Sequence, residues 1–289
     1  MVSLNRVTLL GYLTETPQVR QIANGTSVTD LNIKTIEQIT KEDGTPLIVS
    51  GYHSVNVWRR LAEIVGDYCR AGSPVYISGR LKTDSWETED GQKRYKTKII
   101  ADDIILLESQ KNTESLPESS PLFGCVNMAE VVGNVTKEPE LRQTSNGQHV
   151  ATIRIATNRR WQDRNSGEQK EETEYHAIVV WGELAKEAAE RIKTGAKIYA
   201  RGRLQTRSWE TPDGEKRYST EIVAEKVVLP GGKNEELAAS AGSQGGASPS
   251  YSAPTQSTGT GGSRKPEEGI PDIPEIKYES DIKPEDLPF

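Results

Sequence analysis

The chain contains one stretch of about a hundred residues twice, and this repeat constrains its fold more than any other feature. Asn5–Thr35 matches Asn127–Thr157 at a constant offset of 122. After one inserted residue the offset becomes 123, and Trp58 then falls on Trp181. Solenoid repeats have units of about 20 to 50 residues, so this period is too long for one. The repeat therefore predicts two domains of one fold in tandem.

The composition divides the chain further. Leu237–Ser263 has no charged residue and consists mostly of Gly, Ser, Ala, Thr, Gln and Pro. Such a segment cannot bury enough apolar surface to fold. We predict a first domain at 1–108, a linker at 109–124, a second domain at 125–230, a disordered Gly/Ser-rich linker at 231–266 and an acidic tail at 267–289.

The net charge of −6 belongs to the tail alone. Glu267–Phe289 contains eight acidic side chains and two lysines, and the remaining residues balance to zero. A chain whose excess acid is confined to a tail can still bind an anionic ligand elsewhere.

The sequence argues against several classes of protein. It shows no signal peptide, and no apolar run approaches the roughly 18 residues that a membrane span requires. Cys69 and Cys125 are solitary and differ between the copies, so neither disulfides nor a metal site is indicated. No arrangement of catalytic side chains stands out. We expect a cytoplasmic protein of a reducing compartment, with no enzymatic activity, cofactor, metal or membrane contact.

Each copy has the pattern of five strands and one short helix. In the first copy the strands are predicted at Val7–Leu13, Ser27–Ile36, Leu47–Trp58, Pro74–Trp86 and Lys93–Leu106. The helices are predicted at Leu61–Arg70 and Leu184–Lys193, each followed by a glycine, Gly72 or Gly195. A helix between the third and fourth of five strands is the order of an OB-fold, a small Greek-key barrel. An immunoglobulin-like sandwich needs about seven strands and has no helix there.

Strand alternation separates exposed aromatic residues from core residues. In the third strand it places Tyr52 and Trp58 on the same side as Ser54 and Asn56, opposite the apolar side. Aromatic residues in strands usually belong to the core. Here their neighbours are polar, so we predict a solvated face. The second copy repeats the pattern with Tyr175 and Trp181, and the fourth strands add Trp86 and Trp209 beside basic residues.

Exposed rings interleaved with basic residues on an OB face are typical of a surface that binds single-stranded nucleic acid. The predicted base-stacking residues are Tyr52, Trp58, Trp86, Trp161, Tyr175, Trp181 and Trp209. The predicted phosphate contacts are Arg80, Lys82, Arg159, Arg160, Arg203 and Arg207. Because Trp161 lies among arginines and Arg207 replaces Asp84, we expect the second domain to bind more strongly. The alternative is that these loop charges are simply solvated.

The sequence resembles the bacterial single-stranded DNA-binding proteins. The resemblance is carried by the segments Asn127–Arg142, Glu174–His176, Val180–Ala185 and Ile198–Trp209, and by the tip Glu285–Phe289. It implies the variety with two OB domains per chain, which works as a homodimer with four OB domains. It also implies that Trp161, Tyr175, Trp181 and Trp209 are the four stacking positions of the second domain. Tyr52, Trp58 and Trp86 are their counterparts in the first domain, where the fourth position, near Ile39, is unfilled.

The resemblance assigns two further sites. It implies that His53 and His176, on the apolar side of their strands, belong to a subunit interface. It also implies that the tip residues Glu285, Asp286, Leu287, Pro288 and Phe289 dock replication, recombination and repair proteins. A nucleoid-associated protein that coats single-stranded DNA is therefore expected. A single-stranded RNA-binding protein and a substrate-holding accessory subunit of a nucleic-acid enzyme remain alternatives. Aromatic residues on an OB face also fit carbohydrate binding, which the arginine density disfavours.

Overall fold

The computed structural model describes residues 3–40, 45–88, 91, 93–107, 124–163, 166–210 and 216–230. At 39, 40, 209, 210, 216 and 217 only the backbone is described. Nearly all of the predicted linker at 109–124 lies outside these ranges. The predicted segments at 231–266 and 267–289, with the tip Glu285–Phe289, lie outside them entirely.

The first domain is a closed barrel of five long strands, with a sixth strand of two residues, β2, that pairs with β3. Its elements are β1 (Leu4–Leu13), β2 (Arg20–Gln21), β3 (Ser27–Thr40), β4 (Pro46–Trp58), α1 (Arg60–Tyr68), β5 (Pro74–Glu87) and β6 (Lys93–Leu106). β1 pairs with both β3 and β5, and β3 pairs with β4. A short parallel pairing of β4 with β6, through Val55 and Ile99, completes the ring.

The second domain repeats this barrel. Its elements are β7 (Val126–Gln143), β8 (His149–Gln162), β9 (Gln169–Trp181), α2 (Gly182–Arg191), β10 (Lys197–Glu210) and β11 (Lys216–Val228). β7 runs unbroken where the first domain has the separate strands β1 and β2. The prediction of two tandem OB-folds is confirmed, and both helices begin and end one or two residues earlier than predicted.

Two glycines allow the barrels to bend. Gly79 and Gly202 each lie at a shift of register between the last two strands of their domain. A Cβ atom at Gly79 would lie 2.3 Å from the carbonyl oxygen of Ile100, and one at Gly202 would lie 2.0 Å from that of Val223. Only glycine permits this close approach of two backbones.

The core follows the alternation of the strands. In β5, Val75, Ile77 and Leu81 are buried, while the residues between them face outward. The helices cover an end of each barrel with small or β-branched residues, which in α1 are Ala62 and Val65. The residues on the outward side of the strands are therefore free to form a binding surface.

The two domains are joined by their first strands. β1 and β7 pair antiparallel from Leu4 opposite Val132 to Leu10 opposite Val126. At the centre Val7 lies opposite Ala129, which is its own equivalent in the repeat at an offset of 122. A local twofold axis therefore passes between these residues and relates the two barrels.

Candidate nucleic-acid interface

Strand β4 places two large aromatic side chains on the outside of the first barrel. Tyr52 is 62% exposed and Trp58 is 37% exposed, whereas Val55 and Val57 on the opposite side are fully buried. Single exposed apolar side chains are normal on a protein surface, but exposed aromatic residues grouped on one face often mark a binding site. These two rings have the exposure that base stacking requires.

One polar neighbour is buried, contrary to the expectation of a solvated face. Asn56 is only 3% exposed. Its Nδ2 donates a hydrogen bond of 2.6 Å to Oδ1 of Asp30, and Asp30 also pairs with Arg20 at 2.8 Å. The burial of Asn56 thus comes from a second polar layer on the barrel rather than from the apolar core. That Asn56 is polar was not enough to predict that Asp30 and Arg20 cover it.

The surface with Tyr52 and Trp58 continues from β4 through β6 to β5. The strand register places Asn56 beside Ile100 and Ile100 beside Arg80. Further along β5, Trp86 is 48% exposed and lies opposite Arg94. We name the outward surface of β3, β4, β6 and β5 the outer face of the first barrel, and the outward surface of β8, β9, β11 and β10 that of the second.

The second domain brings together only part of its predicted aromatic set. Trp181 is 40% exposed and Tyr175 is half-buried, both on the outward side of β9. Trp161 is half-buried near the end of β8, with the guanidinium carbon of Arg159 5.1 Å from its ring centroid. Cation–π contacts of this kind occur within about 6 Å.

Trp161 and Tyr175 do not share a face. Tyr175 lies opposite Ala156 in the β8–β9 pairing, and Trp161 is an odd number of residues further along β8. Alternate side chains point to opposite sides of a strand. A strand of nucleic acid that contacts both rings therefore has to pass around the β8–β9 ribbon. The backbone of Trp209 pairs with Arg217, and its side chain lies outside the described residues.

All six predicted phosphate contacts have a neighbour on the chain itself. Arg80 forms an ion pair with Asp102, Lys82 with Glu172 at 2.5 Å, and Arg160 with Glu171 at 3.2 Å. Burial raises the pKa of Glu37, and the charge of Arg203 opposes this shift. Arg207 has the same effect on Glu221, and Arg159 contacts Trp161. A phosphate would have to compete with these partners, so their role in phosphate binding stays a prediction.

Some of these residues lie at the seam between the domains. The Lys82–Glu172 pair joins β5 to β9, and the backbone amide of Thr83 donates a hydrogen bond of 2.9 Å to Oε2 of Glu174. A cavity of about 460 Å³ at this seam is lined by residues that include Arg80, Arg159 and Arg160. Lys82 therefore serves the contact between the domains, and Arg80, Arg159 and Arg160 lie beside this contact.

The centre of each outer face holds a charged pair whose signs are exchanged between the domains. In the first domain Lys98 pairs with Asp84 at 2.6 Å. In the second domain the equivalent positions are Glu221 and Arg207. Arg207 is thus accompanied by a new acid, which corrects the view that it simply adds positive charge where the first domain has Asp84.

The flanking charges differ as well. Burial raises the pKa of Asp30, but hydrogen bonds from Asn56 and Arg20 and the charges of Arg20 and Lys98 outweigh it, so this pKa is lowered. Burial raises the pKa of Glu221 against the opposing charges of Arg207 and Arg154. Lys98 therefore lies among acids, and Glu221 lies between two arginines.

The two histidines are buried within the chain. Nε2 of His53 is 2.9 Å from Oγ1 of Thr35, and Nε2 of His176 is 2.9 Å from Oγ1 of Thr157. Burial lowers the pKa of each ring to about 4, so both are neutral at pH 7. Their place at an interface between subunits stays a prediction, and within one chain Thr157 also lines the seam between the domains.

Tyr12 and Lys34 lie beside Tyr52, and neither was predicted to be a site residue. Tyr12 lies opposite Lys34, and Lys34 lies opposite Tyr52, in three neighbouring strands. Tyr12 is 36% exposed. The alternation of β1, with Leu9, Gly11 and Leu13 toward the core, was the signal that would have placed Tyr12 outward.

Two other kinds of site are absent from the described part of the chain. No helix there is long and apolar enough to cross a membrane. No group of three His, Cys, Asp or Glu side chains there is arranged to hold a metal ion.

Two closed OB barrels with exposed aromatic residues at equivalent positions define a tandem OB-fold binding protein. The model of the single-strand binding protein family matches the chain twice, at residues 4–107 and 126–230. These matches fall on the two barrels and cover most of the chain. The chain therefore belongs to the single-strand binding protein family.

Similar proteins share the two-domain length. The single-stranded DNA-binding proteins of Thermus aquaticus and Thermus thermophilus are 32% and 34% identical over 229 residues, covering 78% of this chain and 84% of each relative. The crystal structure of the wild-type Thermus aquaticus protein superimposes with a TM-score of 0.63 at 26% identity, covering 86% of this chain and 98% of that one. The tandem arrangement is thus common to these proteins.

Proposed function

We propose that this protein binds single-stranded DNA with little sequence preference. One observation carries the proposal: Tyr52 and Trp58 in β4, and Tyr175 and Trp181 in β9, occupy equivalent outward positions on two barrels. Membership of the single-strand binding protein family supports it, as do the relatives named single-stranded DNA-binding proteins. The proposed role is binding and protection of the strand, without catalysis.

The physical basis is stacking combined with charge. Each base stacked on a ring contributes roughly 1–3 kcal/mol, and the contribution depends little on sequence because every base has a π-face. Cations along the strand neutralise phosphates, so log K should fall with log salt by about 0.7 for each phosphate neutralised. Binding to single strands should therefore weaken with salt, and a duplex should compete poorly.

A tryptophan fluorescence titration with a dT homopolymer tests the proposal. We expect quenching that weakens with salt and is absent with the matching duplex. Trp181→Ala should weaken binding about 5- to 100-fold, as expected for the loss of one stacked base. Tyr68→Ala is the matched control, because Tyr68 is highly exposed but lies on α1, away from the outer face. Equal binding by wild type and Trp181→Ala would contradict the proposal, and tighter binding to an rU strand would favour RNA.

We further propose that two chains associate through the sheet formed around β1 and β7. The local twofold axis relates two outward apolar rows on this sheet. The rows are Val126, Leu10, Tyr76 and Ile105 on one side, and Leu4, Val132, Tyr199 and Val228 on the other. Ile105, Val126 and Val228 are exposed in the single chain. A surface with its own twofold symmetry is suited to pair with a second copy of itself.

Sedimentation equilibrium tests this association. The wild type should have the mass of two chains, and combined Ile105→Glu and Val228→Glu substitutions should give the mass of one. Ile22→Glu is the control, because Ile22 is exposed but lies in the turn after β2. A wild type with the mass of one chain would exclude the homodimer.

We also propose that the tip Glu285–Phe289 recruits replication, recombination and repair proteins in the bacterial nucleoid. The support is the acidic sequence that ends in Pro288 and Phe289. Affinity capture from a bacterial extract with the whole protein, and with a variant lacking Glu285–Phe289, compares the proteins retained. Loss of replication and repair proteins from the truncated sample is expected, and identical captured sets would contradict this role.

A further inference from the structure

We propose that the first domain has a DNA contact that the second domain lacks, formed by Tyr12, Lys34 and Tyr52. This inference rests on the proposed binding of single-stranded DNA and adds a site to it. We name these three residues the Tyr–Lys–Tyr row. In this row two rings each stack on a base, and the amine between them binds the intervening phosphate.

The strand register brings the three residues together. Tyr12 of β1 lies opposite Lys34 of β3, and Lys34 lies opposite Tyr52 of β4. Residues opposite each other in antiparallel strands point to the same side, and neighbouring strands are about 4.8 Å apart. The adjacent pair of Leu13 and Ile33 is fully buried, which places Tyr12 and Lys34 on the outward side. The two rings therefore flank the lysine on one surface, roughly 10 Å apart.

Exposure and charge fit a ligand contact. Tyr12 and Tyr52 are both exposed, and Lys34 is half-buried between them. No carboxylate of the described residues forms an ion pair with Lys34, in contrast to Arg80 and Lys82 on the same barrel. Its positive charge is therefore available to a phosphate. A lysine between two tyrosines combines the two elements of single-strand recognition, stacking and charge.

The second domain shows what this surface is like without the row. There the equivalent positions are Asn134, Ala156 and Tyr175, which also lie opposite one another. One ring remains, and both the second ring and the cation are missing. Conversely, the second domain has Trp161 on β8, where the first domain has the aliphatic Ile39. Each domain thus has an aromatic residue that the other lacks, and the strand takes a different path over each.

The test exchanges residues between the two domains in the full-length protein. Tyr12→Asn and Lys34→Ala introduce the residues of the second domain, and Tyr12→Phe keeps the ring. With a dT homopolymer as the probe, Tyr12→Asn should weaken binding about 5- to 20-fold. Lys34→Ala should reduce the salt slope by about 0.7, and Tyr12→Phe should bind like the wild type. Asn134→Tyr combined with Ala156→Lys should tighten binding by a similar factor.

Trp181→Ala, measured in parallel, separates the two proposals. If it weakens binding while Tyr12→Asn and Lys34→Ala do not, the row is not a DNA site and the proposed function stands. If none of the three weakens binding, both are overturned. If Tyr12→Asn impairs folding, the salt slope of the more conservative Lys34→Ala decides the matter. If a substitution in the Tyr–Lys–Tyr row weakens binding but sedimentation shows that it also dissociates a dimer, the row is not a DNA site.

Discussion

Arg59 has a backbone conformation that a glycine adopts at the equivalent position of the second domain. Among the described residues it is the one non-glycine residue with positive φ, at 57°, and its ψ is −137°. The equivalent position in the repeat is Gly182, with φ of 60°. Conformations of this kind cost side chains on the order of 1–3 kcal/mol. Arg59 is exposed and follows Trp58 in the chain, so the strained residue is a cation next to a predicted stacking residue.

We predict that Arg59→Gly stabilises the protein by about 1 kcal/mol. Glycine removes the backbone strain, and this gain is larger than the cost of the extra conformational entropy that glycine gives the unfolded chain. Urea unfolding at pH 7 measures the change. Gly182→Ala is the reciprocal control and should destabilise. If DNA affinity also falls in Arg59→Gly, the strained arginine serves binding. A less stable Arg59→Gly would show that its backbone is not strained.

At the scale of the secondary-structure elements, one hydrogen-bond pattern explains why an asparagine appears at the same place in both copies. Asn5 exchanges two hydrogen bonds with the backbone of Leu81, at 2.8 and 3.0 Å. Asn127 does the same with Leu204, at 2.9 and 3.0 Å. These bonds hold the first strand of each barrel where its own domain and its neighbour meet. The pairing of β1 with β7 also covers an edge that would otherwise be open to other strands.

The contact between β5 and β9 places a carboxyl group in an unfavourable setting. Burial raises the pKa of Glu174 to about 7, and the neighbouring charges of Glu172 and Asp84 act in the same direction. The hydrogen bond from Thr83 and the charge of Lys82 oppose this shift. The folded protein therefore holds a proton that the unfolded chain releases near pH 4.5. The contribution of Glu174 to stability should be highest below that pH, fall as the pH rises toward 7, and then level off.

We predict that Glu174→Gln removes this loss of stability, because the amide is neutral and its oxygen still accepts the hydrogen bond from Thr83. Thermal unfolding should give a higher midpoint than wild type at pH 8 and an equal one near pH 4.5. Glu171→Gln is the control on the same strand, because hydrogen bonds from Asn158 and Arg160 lower the Glu171 pKa. An equal midpoint for Glu174→Gln and wild type at pH 8 would show that the folded protein does not raise the pKa of Glu174.

The exchanged charges on the outer faces predict a coupled effect across β5 and β6. Asp84→Arg alone brings a cation next to Lys98, and Lys98→Glu alone brings an anion next to Asp84. Each single substitution should lower the free energy of unfolding by about 1 kcal/mol, whereas the double substitution should recover most of it. A double-mutant cycle in urea measures the coupling. Strictly additive losses would mean that the ion pair contributes nothing.

At the scale of the whole molecule, the distribution of charge predicts competition for the binding faces. The acidic segment Glu267–Phe289 carries the entire net charge of −6. It can compete with DNA for the cations of the barrels. We predict that deleting Glu267–Phe289 tightens binding to a dT homopolymer several-fold at low salt, with little effect at high salt, where charges are screened. Unchanged affinity at low salt would remove this autoinhibition.

Much of the architecture could be predicted from the chain alone. Local patterns are enough to predict a barrel, since alternation determines which side of a strand is buried and glycines mark its bends. Tyr52 and Trp58 were placed outward on this basis, and their exposure agrees. Asn56 was misplaced, because its covering layer of Asp30 and Arg20 comes from strands distant in sequence. Side chains from distant strands decide whether a polar group is solvated or sealed.

The sequence by itself determined two OB barrels and the aromatic positions that they repeat, because these depend on alternation within one strand and on comparison of one copy with the other. The tertiary structure alone decided which charges meet. It paired Lys82 with Glu172 across the domain seam, and it placed Lys34 between Tyr12 and Tyr52. Such neighbours depend on strand register and on how the barrels close and join. Those contacts are set by packing between residues far apart in the chain, and no local pattern records them.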